Sequence, residues 1–181
     1  DGSDVKLSNG QWMSTVKGDT FRIEEWYGWT GKPNQGLRLL SIDIATGIVE
    51  REIQAGIYNR VVPGPADNSI WDVENGNSIA ADMAKPVKLN GKRYKGVQWL
   101  RSDKAKGSRM AGWKQLRQFL KDALPQKRDT GLKDEMGLPI LISVPREKPG
   151  MFIFNNCKMF AELFPVAPRD EVNPDDIDTD S

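Results

Sequence analysis

Residues 59–72, N-R-V-V-P-G-P-A-D-N-S-I-W-D, decide the fold that we expect for this chain. The apolar pair Val61 and Val62 predicts the core of a short buried strand. The P-G-P turn at residues 63–65 ends that strand, because proline lacks the N–H that a strand ladder needs and glycine tolerates sharp turns. The next polar side chain is the carboxylate of Asp67, which the pattern therefore places at the end of a strand.

Asp67 has two interpretations at this point. A carboxylate at the end of a buried strand, on a turn stiffened by two prolines, is well placed to hold a hard metal ion. The alternative is an ordinary loop aspartate that accepts hydrogen bonds from backbone N–H groups. The stretch alone does not distinguish the two, and both stay open here.

Charge is segregated along the chain, although the formal net charge is only +1. Residues 85–121, the basic block, carry twelve cations against a single acid, Asp103. In the acidic tail, residues 169–181, six acids follow Arg169 with no further cation. A basic block suits a polyanion such as nucleic acid, and an acidic cluster suits a divalent cation. The alternatives are a solvated basic face and a disordered, solubilising acidic end.

Composition narrows the chemistry that this chain can carry out. The 181 residues suit one domain, residues 1–181, with a core at about residues 11–165. There is no histidine and only one cysteine, Cys157, which excludes Ser-His-Asp and Cys-His nucleophiles and zinc sites built on histidine. No phosphate-binding P-loop motif and no apolar run of membrane-spanning length occur. An enzyme with this composition would rest on carboxylates, lysines or tyrosines, and carboxylates with Mg²⁺ or Mn²⁺ are the natural choice.

Hydrophobic spacing predicts alternating strands and helices. The expected strands are residues 11–16 and 20–29, paired as a hairpin, then 96–100, 140–144 and 151–154, with a smaller hairpin around Asn90-Gly91. The expected helices are residues 37–53, 78–83, 110–124 and 158–164. Residues 126–137 are polar and predict a mobile loop. This order predicts a mixed α/β sheet, with ligands at strand ends, where Asp67 and the basic loop 101–109 both fall.

Three segments carry a resemblance to a known family. They are E-E-W-Y-G-W-T-G-K-P-N-Q-G-L-R-L (residues 24–39), G-P-A-D-N-S-I-W-D (64–72) and S-D-K-A-K-G-S-R-M-A-G-W-K-Q-L-R (102–117). Together they resemble the nuclease domain of the large terminase subunit of tailed bacteriophages, from about residue 19 to the end of the chain. The resemblance implies a ribonuclease H-like fold, with a mixed central sheet flanked by helices. It also implies a metal-dependent endonuclease that cuts concatemeric viral DNA during genome packaging.

The resemblance implies roles for particular residues. Asp67 matches the acidic residue at the end of the middle core strand, as a catalytic metal ligand, with Mg²⁺ or Mn²⁺ as cofactor. Two ions ~4 Å apart would take part, and Asp178 and Asp180 would support the second. Lys104, Lys106 and Arg109 would hold DNA phosphates without reading sequence. The family's first acid lies on a strand before residue 11, and we expect this chain to begin after it.

The resemblance also implies partners and a location. The partners would be double-stranded DNA and, in the full subunit, an ATPase motor domain, the small terminase subunit and the portal. The location would be the host-cell cytoplasm, with transient docking on the viral procapsid. Two alternatives remain: a DNA-binding module without catalysis, and an interaction module in which acidic tail and basic block meet each other or a motor or portal partner.

Overall fold

Short elements alternate along the chain in the computed structural model, which describes residues 3–7, 10–26, 36–74, 76–167, 170–171 and 176. The strands are β1 (Asp4–Lys6), β2 (Trp12–Ser14), β3 (Thr20–Arg22), β4 (Gly64–Ala66), β5 (Val73–Glu74), β6 (Asn77–Ser78), β7 (Val87–Leu89), β8 (Lys92–Tyr94), β9 (Trp99–Arg101), β10 (Gln126–Lys133), β11 (Pro139–Val144) and β12 (Met151–Ile153). The helices are α1 (Ser41–Gln54), α2 (Ile79–Met83), α3 (Ser108–Asp122) and α4 (Lys158–Leu163). The chain is therefore mixed α/β, as its sequence predicts.

The chain divides into two compact units. The central unit is Trp26–Lys104, and the split unit combines Asp1–Glu25 with Ala105–Ser181. The sheets formed by the described residues have two strands each, and no central sheet is seen among them. Short two-stranded sheets leave little room for buried side chains, so packing against helices supplies most of the core.

Helix α1 supplies the core of the central unit. Its apolar residues recur at helical spacing, and its inner face buries Ala45 and Val49, which are 0% and 1% exposed. These side chains pack with Met83 and Val87 in one hydrophobic cluster. The predicted helix at residues 37–53 is confirmed, although it begins at Ser41 rather than at residue 37.

Two local signals in the central unit are also confirmed. The Ser78 hydroxyl accepts the backbone N–H of Ala81 over 3.2 Å and caps α2, as the sequence predicts. Asn90 and Gly91 have φ angles of 49° and 77° and form the turn of the β7–β8 hairpin. Positive φ at both positions is what a two-residue hairpin turn of this kind needs, and Asn-Gly tolerates it best.

The strand before Asp67 begins three residues later than predicted, at Gly64 rather than at Val61. It is β4, and Val61 and Val62 lie in extended chain outside any ladder, with 46% and 77% of their surface exposed. The prediction of a buried strand at this pair was wrong, because apolar side chains alone do not provide a pairing partner. β4 pairs in parallel with β9 and ends at Ala66, so Asp67 still follows a strand directly.

The predicted hairpin of residues 11–16 with 20–29 was also wrong. β2 pairs with β1 in an antiparallel sheet, whereas β3 pairs in parallel with β12, far along the chain. Phe21 of β3 lies beside Phe152 of β12, and their rings stack with centroids 5.4 Å apart. This aromatic contact stabilises the long-range pairing of β3 with β12. The Lys17-Gly18 turn indicates only a local hairpin, so the sequence around it does not predict this pairing.

The polar stretch at residues 126–137, predicted as a mobile loop, contains β10. It forms an antiparallel hairpin with β11, with an irregularity in the register between Asp129 and Lys133. Asp134 orders the turn, because its carboxylate accepts the backbone N–H groups of Met136 and Leu138 over 2.9 and 2.8 Å. Polar residues form this strand because both of its faces are largely exposed to solvent.

Candidate functional site

The parallel pair β4–β9 brings the ends of two strands together in the central unit. Its register joins Ala66 to Arg101, the last residue of each strand. The backbone N–H of Ser102 then donates to the carbonyl of Ala66 over 3.0 Å. Asp67 and Ser102 are therefore the first residues beyond two neighbouring strands, which is where open α/β sheets place their ligands. We call the segments that leave these strand ends, residues 67–71 and 101–104, the Asp67 edge.

Both oxygens of the Asp67 carboxylate accept hydrogen bonds. Oδ1 accepts the backbone N–H of Ser69 over 2.9 Å and caps the 3₁₀ turn Asn68–Trp71. Oδ2 accepts a hydrogen bond from Lys104 Nζ over 2.6 Å. The expectation of a loop aspartate that binds backbone N–H groups is therefore confirmed, and the sequence-predicted Asp67 and Lys104 lie in direct contact.

At the Asp67 edge, the Asp67 carboxylate is paired with the Lys104 ammonium, and both groups are open to solvent. The hydrogen bond from Lys104, reinforced by those from Ser69, lowers the pKa of Asp67 well below its usual range. The side chains of Lys104 and Asp67 are 55% and 60% exposed. Water and salt screen such a pair, so it contributes little to folding, and either group can exchange its partner for a ligand.

Two buried polar atoms belong to the same edge. Asn68 Oδ1 and Ser102 Oγ are shielded from solvent and have no hydrogen-bond partner among the described residues. Buried polar atoms in native proteins are nearly always bonded, so an unmatched one marks a place for water, an ion or a ligand group. Both atoms are oxygens, one from an amide and one from a hydroxyl.

A second cation flanks the edge. The guanidinium of Arg101, the last residue of β9, lies over the Trp71 ring at 4.9 Å from its centroid. Trp71 ends the 3₁₀ turn that Asp67 caps, so this cation–π contact ties the two segments together. The Asp67 edge thus combines two carboxylates, those of Asp67 and Asp103, with two cations and two unmatched oxygens.

The other residues singled out from the sequence fall elsewhere. Lys106 and Arg109 belong to the split unit, and Lys106 is exposed. Arg109 donates to Asp176 of the acidic tail, through Nε over 3.0 Å and Nη2 over 2.5 Å. Asp178 and Asp180 lie outside the described residues. Of the predicted site residues, the structure therefore brings Asp67 and Lys104 together.

The donors at the Asp67 edge suit a hard divalent cation. Magnesium usually binds one or two carboxylates and completes its shell with water and substrate phosphate. The carboxylate of Asp67 is a ligand of that type, and the unmatched oxygens of Asn68 and Ser102 lie in the adjoining segments. Among the residues that the structure describes, no group of three or more acids or cysteines is placed to hold a metal. The described edge therefore holds the Asp67 carboxylate at one strand end and a second acid, Asp103, two residues beyond β9.

The edge is distinct from the groove in the same unit. That groove has a volume of about 550 Å³, and its lining includes Glu52, Tyr58, Arg93 and Tyr94 but neither Asp67 nor Lys104. Burial raises the pKa of Glu52. A small molecule would favour such a concave groove, whereas an exposed edge suits a polymeric ligand that approaches from solvent.

A second parallel strand edge, in the split unit, has a structural role. The carboxylate of Glu25, which follows β3, accepts the backbone N–H groups of Met159 and Phe160 over 2.6 and 3.2 Å. It thereby fixes the first turn of α4. Burial raises the pKa of the neighbouring Cys157 thiol, which is 0% exposed, so this cysteine is not a reactive nucleophile.

The sequence interpretation missed four members of the edge, although three of them carried a signal. Asn68 and Ser102 directly follow the two paired strands, and Arg101 ends one of them, so the strand-end argument that selects Asp67 also applies to them. Trp71 had no local signal, because its contact with Arg101 depends on the pairing of β4 with β9.

Comparisons with known proteins add no family. No protein-family model, no curated protein and no solved structure matches this chain. None of the helices in the described segments has the length and apolar character needed to cross a membrane.

Proposed function

We propose that this chain is a metal-dependent DNA endonuclease domain of the phage terminase type. The observation that carries the proposal is the Asp67–Lys104 contact at the ends of two parallel strands. An ionised carboxylate beside an exposed ammonium is the pairing that phosphodiester hydrolysis needs, one group for a metal and one for a phosphate. The segments that resemble the terminase nuclease add the substrate class and a ribonuclease H-like core sheet, both of which belong to this proposal.

Each residue of the edge would then have a separate task. Asp67 would hold the ion, and the oxygens of Asn68 and Ser102 would complete or orient its shell. The ion would supply activation of the attacking water and stabilise the leaving 3′-oxygen. Lys104 and Arg101 would neutralise phosphates on either side of the scissile bond. None of these groups would contact base edges, which suits an endonuclease with little sequence preference.

The proposal is tested by substituting Asp67. Asp67→Asn removes the charge that a divalent ion needs while keeping the shape, so Mn²⁺ binding should be lost, and plasmid nicking with Mg²⁺ or Mn²⁺ should fall by about 10²-fold or more. Mn²⁺ binding is followed by electron paramagnetic resonance, and nicking of supercoiled plasmid by gel, with EDTA as the blank.

Asp82→Asn is the matched control for this experiment. Asp82 also accepts a lysine ammonium, that of Lys85, over 2.6 Å in the same unit, but it lies on α2 rather than at a strand end. It should bind Mn²⁺ and nick DNA as the wild type does. Unchanged Mn²⁺ binding in Asp67→Asn would refute the assignment of Asp67 as a metal ligand.

A DNA-binding module without catalysis is the second candidate. The observation in its favour is that both oxygens of Asp67 already accept hydrogen bonds, from Ser69 and Lys104. It predicts binding of duplex DNA that weakens steeply with salt and does not change when EDTA is added. Magnesium-dependent nicking would exclude it.

A motor or portal interaction module is the third candidate. Arg109 of the basic block meets Asp176 of the acidic tail, so the two charged segments do contact each other. This candidate predicts weak DNA affinity at ~150 mM salt, where exposed charges more than about 8 Å apart are screened. Tight DNA binding at that salt concentration would exclude it.

A further inference from the structure

The Asp67–Lys104 contact makes two kinds of binding mutually dependent. Lys104 Nζ lies 2.6 Å from Oδ2, and the other oxygen accepts the N–H of Ser69. The carboxylate therefore has no oxygen without a donor in this arrangement. A divalent ion that ligates Oδ2 meets the ammonium at the same oxygen, so the two cations compete for the negative charge of one carboxylate.

The two cations also repel each other. A magnesium–oxygen bond is about 2.1 Å long, so an ion on Asp67 would lie only a few ångströms from an ammonium that kept its present position. That separation is shorter than the ~8 Å over which physiological salt screens charge. This repulsion favours an arrangement in which Lys104 swings away when metal binds, and its exposed side chain is long enough to do so.

We propose that Lys104 couples metal binding to DNA binding, so that each ligand strengthens the other. This inference rests on the proposed function. A metal on Asp67 releases Lys104 to bind a phosphate, and a phosphate on Lys104 releases Asp67 to bind a metal. Because such coupling is reciprocal, metal must raise DNA affinity by the same factor by which DNA raises metal affinity.

The functional consequence is that the site binds metal more tightly when DNA is present. Without DNA, Lys104 acts as an internal competitor and keeps metal affinity low. With DNA, the phosphates remove that competitor, and the positive charge stays at the place where the scissile strand lies. The swap needs no movement of the strands, since only one flexible side chain changes its partner.

The test measures Mn²⁺ binding with and without a saturating 20-base-pair duplex, by electron paramagnetic resonance at constant ionic strength. Asp67→Asn supplies the background of Mn²⁺ bound by the DNA itself. In the wild type, the duplex should raise Mn²⁺ affinity by about fivefold or more, within the usual range of coupling between sites. Mn²⁺ should raise duplex affinity by the same factor, as measured by fluorescence anisotropy.

Lys104→Gln separates the coupling from metal binding itself. This variant should bind Mn²⁺ more tightly than the wild type without DNA, and the duplex should raise that affinity by a smaller factor than in the wild type. Lys85→Gln is the matched control, because Lys85 pairs with Asp82 over the same 2.6 Å away from the edge. It should behave as the wild type does.

The outcomes distinguish the inference from the proposed function. If Mn²⁺ binds at Asp67 with equal affinity in the wild type and in Lys104→Gln, or if the coupling persists undiminished in Lys104→Gln, the inference is overturned and the metal site stands. If no variant binds Mn²⁺ above the Asp67→Asn background, with or without DNA, the metal-dependent function and the inference both fail.

Discussion

At the scale of single residues, Asp19 is held more firmly than its place in a turn suggests. Arg146 donates to both of its oxygens, over 3.0 and 2.7 Å, and the N–H groups of Gly150 and Val16 add bonds of 2.6 and 2.8 Å. The Asp19 and Arg146 side chains are 2% and 10% exposed. The hydrogen bonds from Arg146 are the main cause that lowers the pKa of Asp19 from 3.8 to about 2.

Asp19→Asn should therefore lower the free energy of unfolding by about 3 kcal/mol at neutral pH, because it leaves Arg146 buried without its carboxylate. The pKa of Asp19 is depressed in the folded state, so its contribution is present above about pH 4 and is lost as pH falls towards 2. The difference in stability between wild type and variant should narrow over that interval. Urea titrations followed by tryptophan fluorescence measure it.

Asp82→Asn is the control for the Asp19 prediction. Asp82 pairs with Lys85 at the surface, where the two side chains are 35% and 55% exposed. Its loss should change stability by no more than about 0.5 kcal/mol. An Asp19→Asn variant as stable as Asp82→Asn, or a difference independent of pH, would show that the Asp19–Arg146 pair does not hold the split unit together.

At the scale of elements, the segment before β9 packs backbone to backbone against the end of α2. A Cβ added at Gly96 would collide with the carbonyl oxygens of Lys85 and Met83. Gly96→Ala should therefore cost roughly 1–3 kcal/mol of stability in thermal unfolding. Gly112 in α3 has no atom within 4 Å of such a Cβ, so Gly112→Ala should stabilise by roughly 0.5–1 kcal/mol. Equal effects of the two substitutions would contradict this packing.

Elements with local signals were predictable, and elements with distant partners were not. The helix periodicity of α1, the Ser78 cap and the Asn90-Gly91 turn depend on neighbours within a few residues, and all three are confirmed. The partner of β3 is β12, and nothing in the alternation of a three-residue strand identifies a partner so far along the chain. The sequence therefore predicts elements better than it predicts their pairing.

In the candidate site too, the positions of single residues were predictable, whereas the contact between distant residues was not. The position of Asp67 after a strand was predicted for the wrong reason, because Gly64 and Pro65, which were expected to end the strand, belong to it. The strand after which Lys104 lies was predicted too, one residue from its observed end. Their contact over 2.6 Å depends on the parallel register of β4 and β9, which no local pattern specifies.

At the scale of the whole molecule, the basic block is partly neutralised by acids outside it. Lys85, Lys104 and Arg109 pair with Asp82, Asp67 and Asp176 respectively. The Arg109–Asp176 pair differs from the other two, because its acid comes from the acidic tail and is itself buried, with 6% of its surface exposed. A polyanion that uses Arg109 must therefore compete with the chain's own carboxylate.

This competition leads to a prediction about DNA affinity. Asp176→Asn should bind a 20-base-pair duplex more tightly than the wild type, because Arg109 no longer faces a competing charge. Arg109→Gln should bind less tightly and should reduce the slope of log affinity against log salt by about one, since one phosphate contact is lost. The double variant should match Arg109→Gln, because Asp176 acts through Arg109. If Asp176→Asn instead weakens binding while Arg109→Gln has no effect, the pair is structural, and the phosphate contacts lie elsewhere in the basic block.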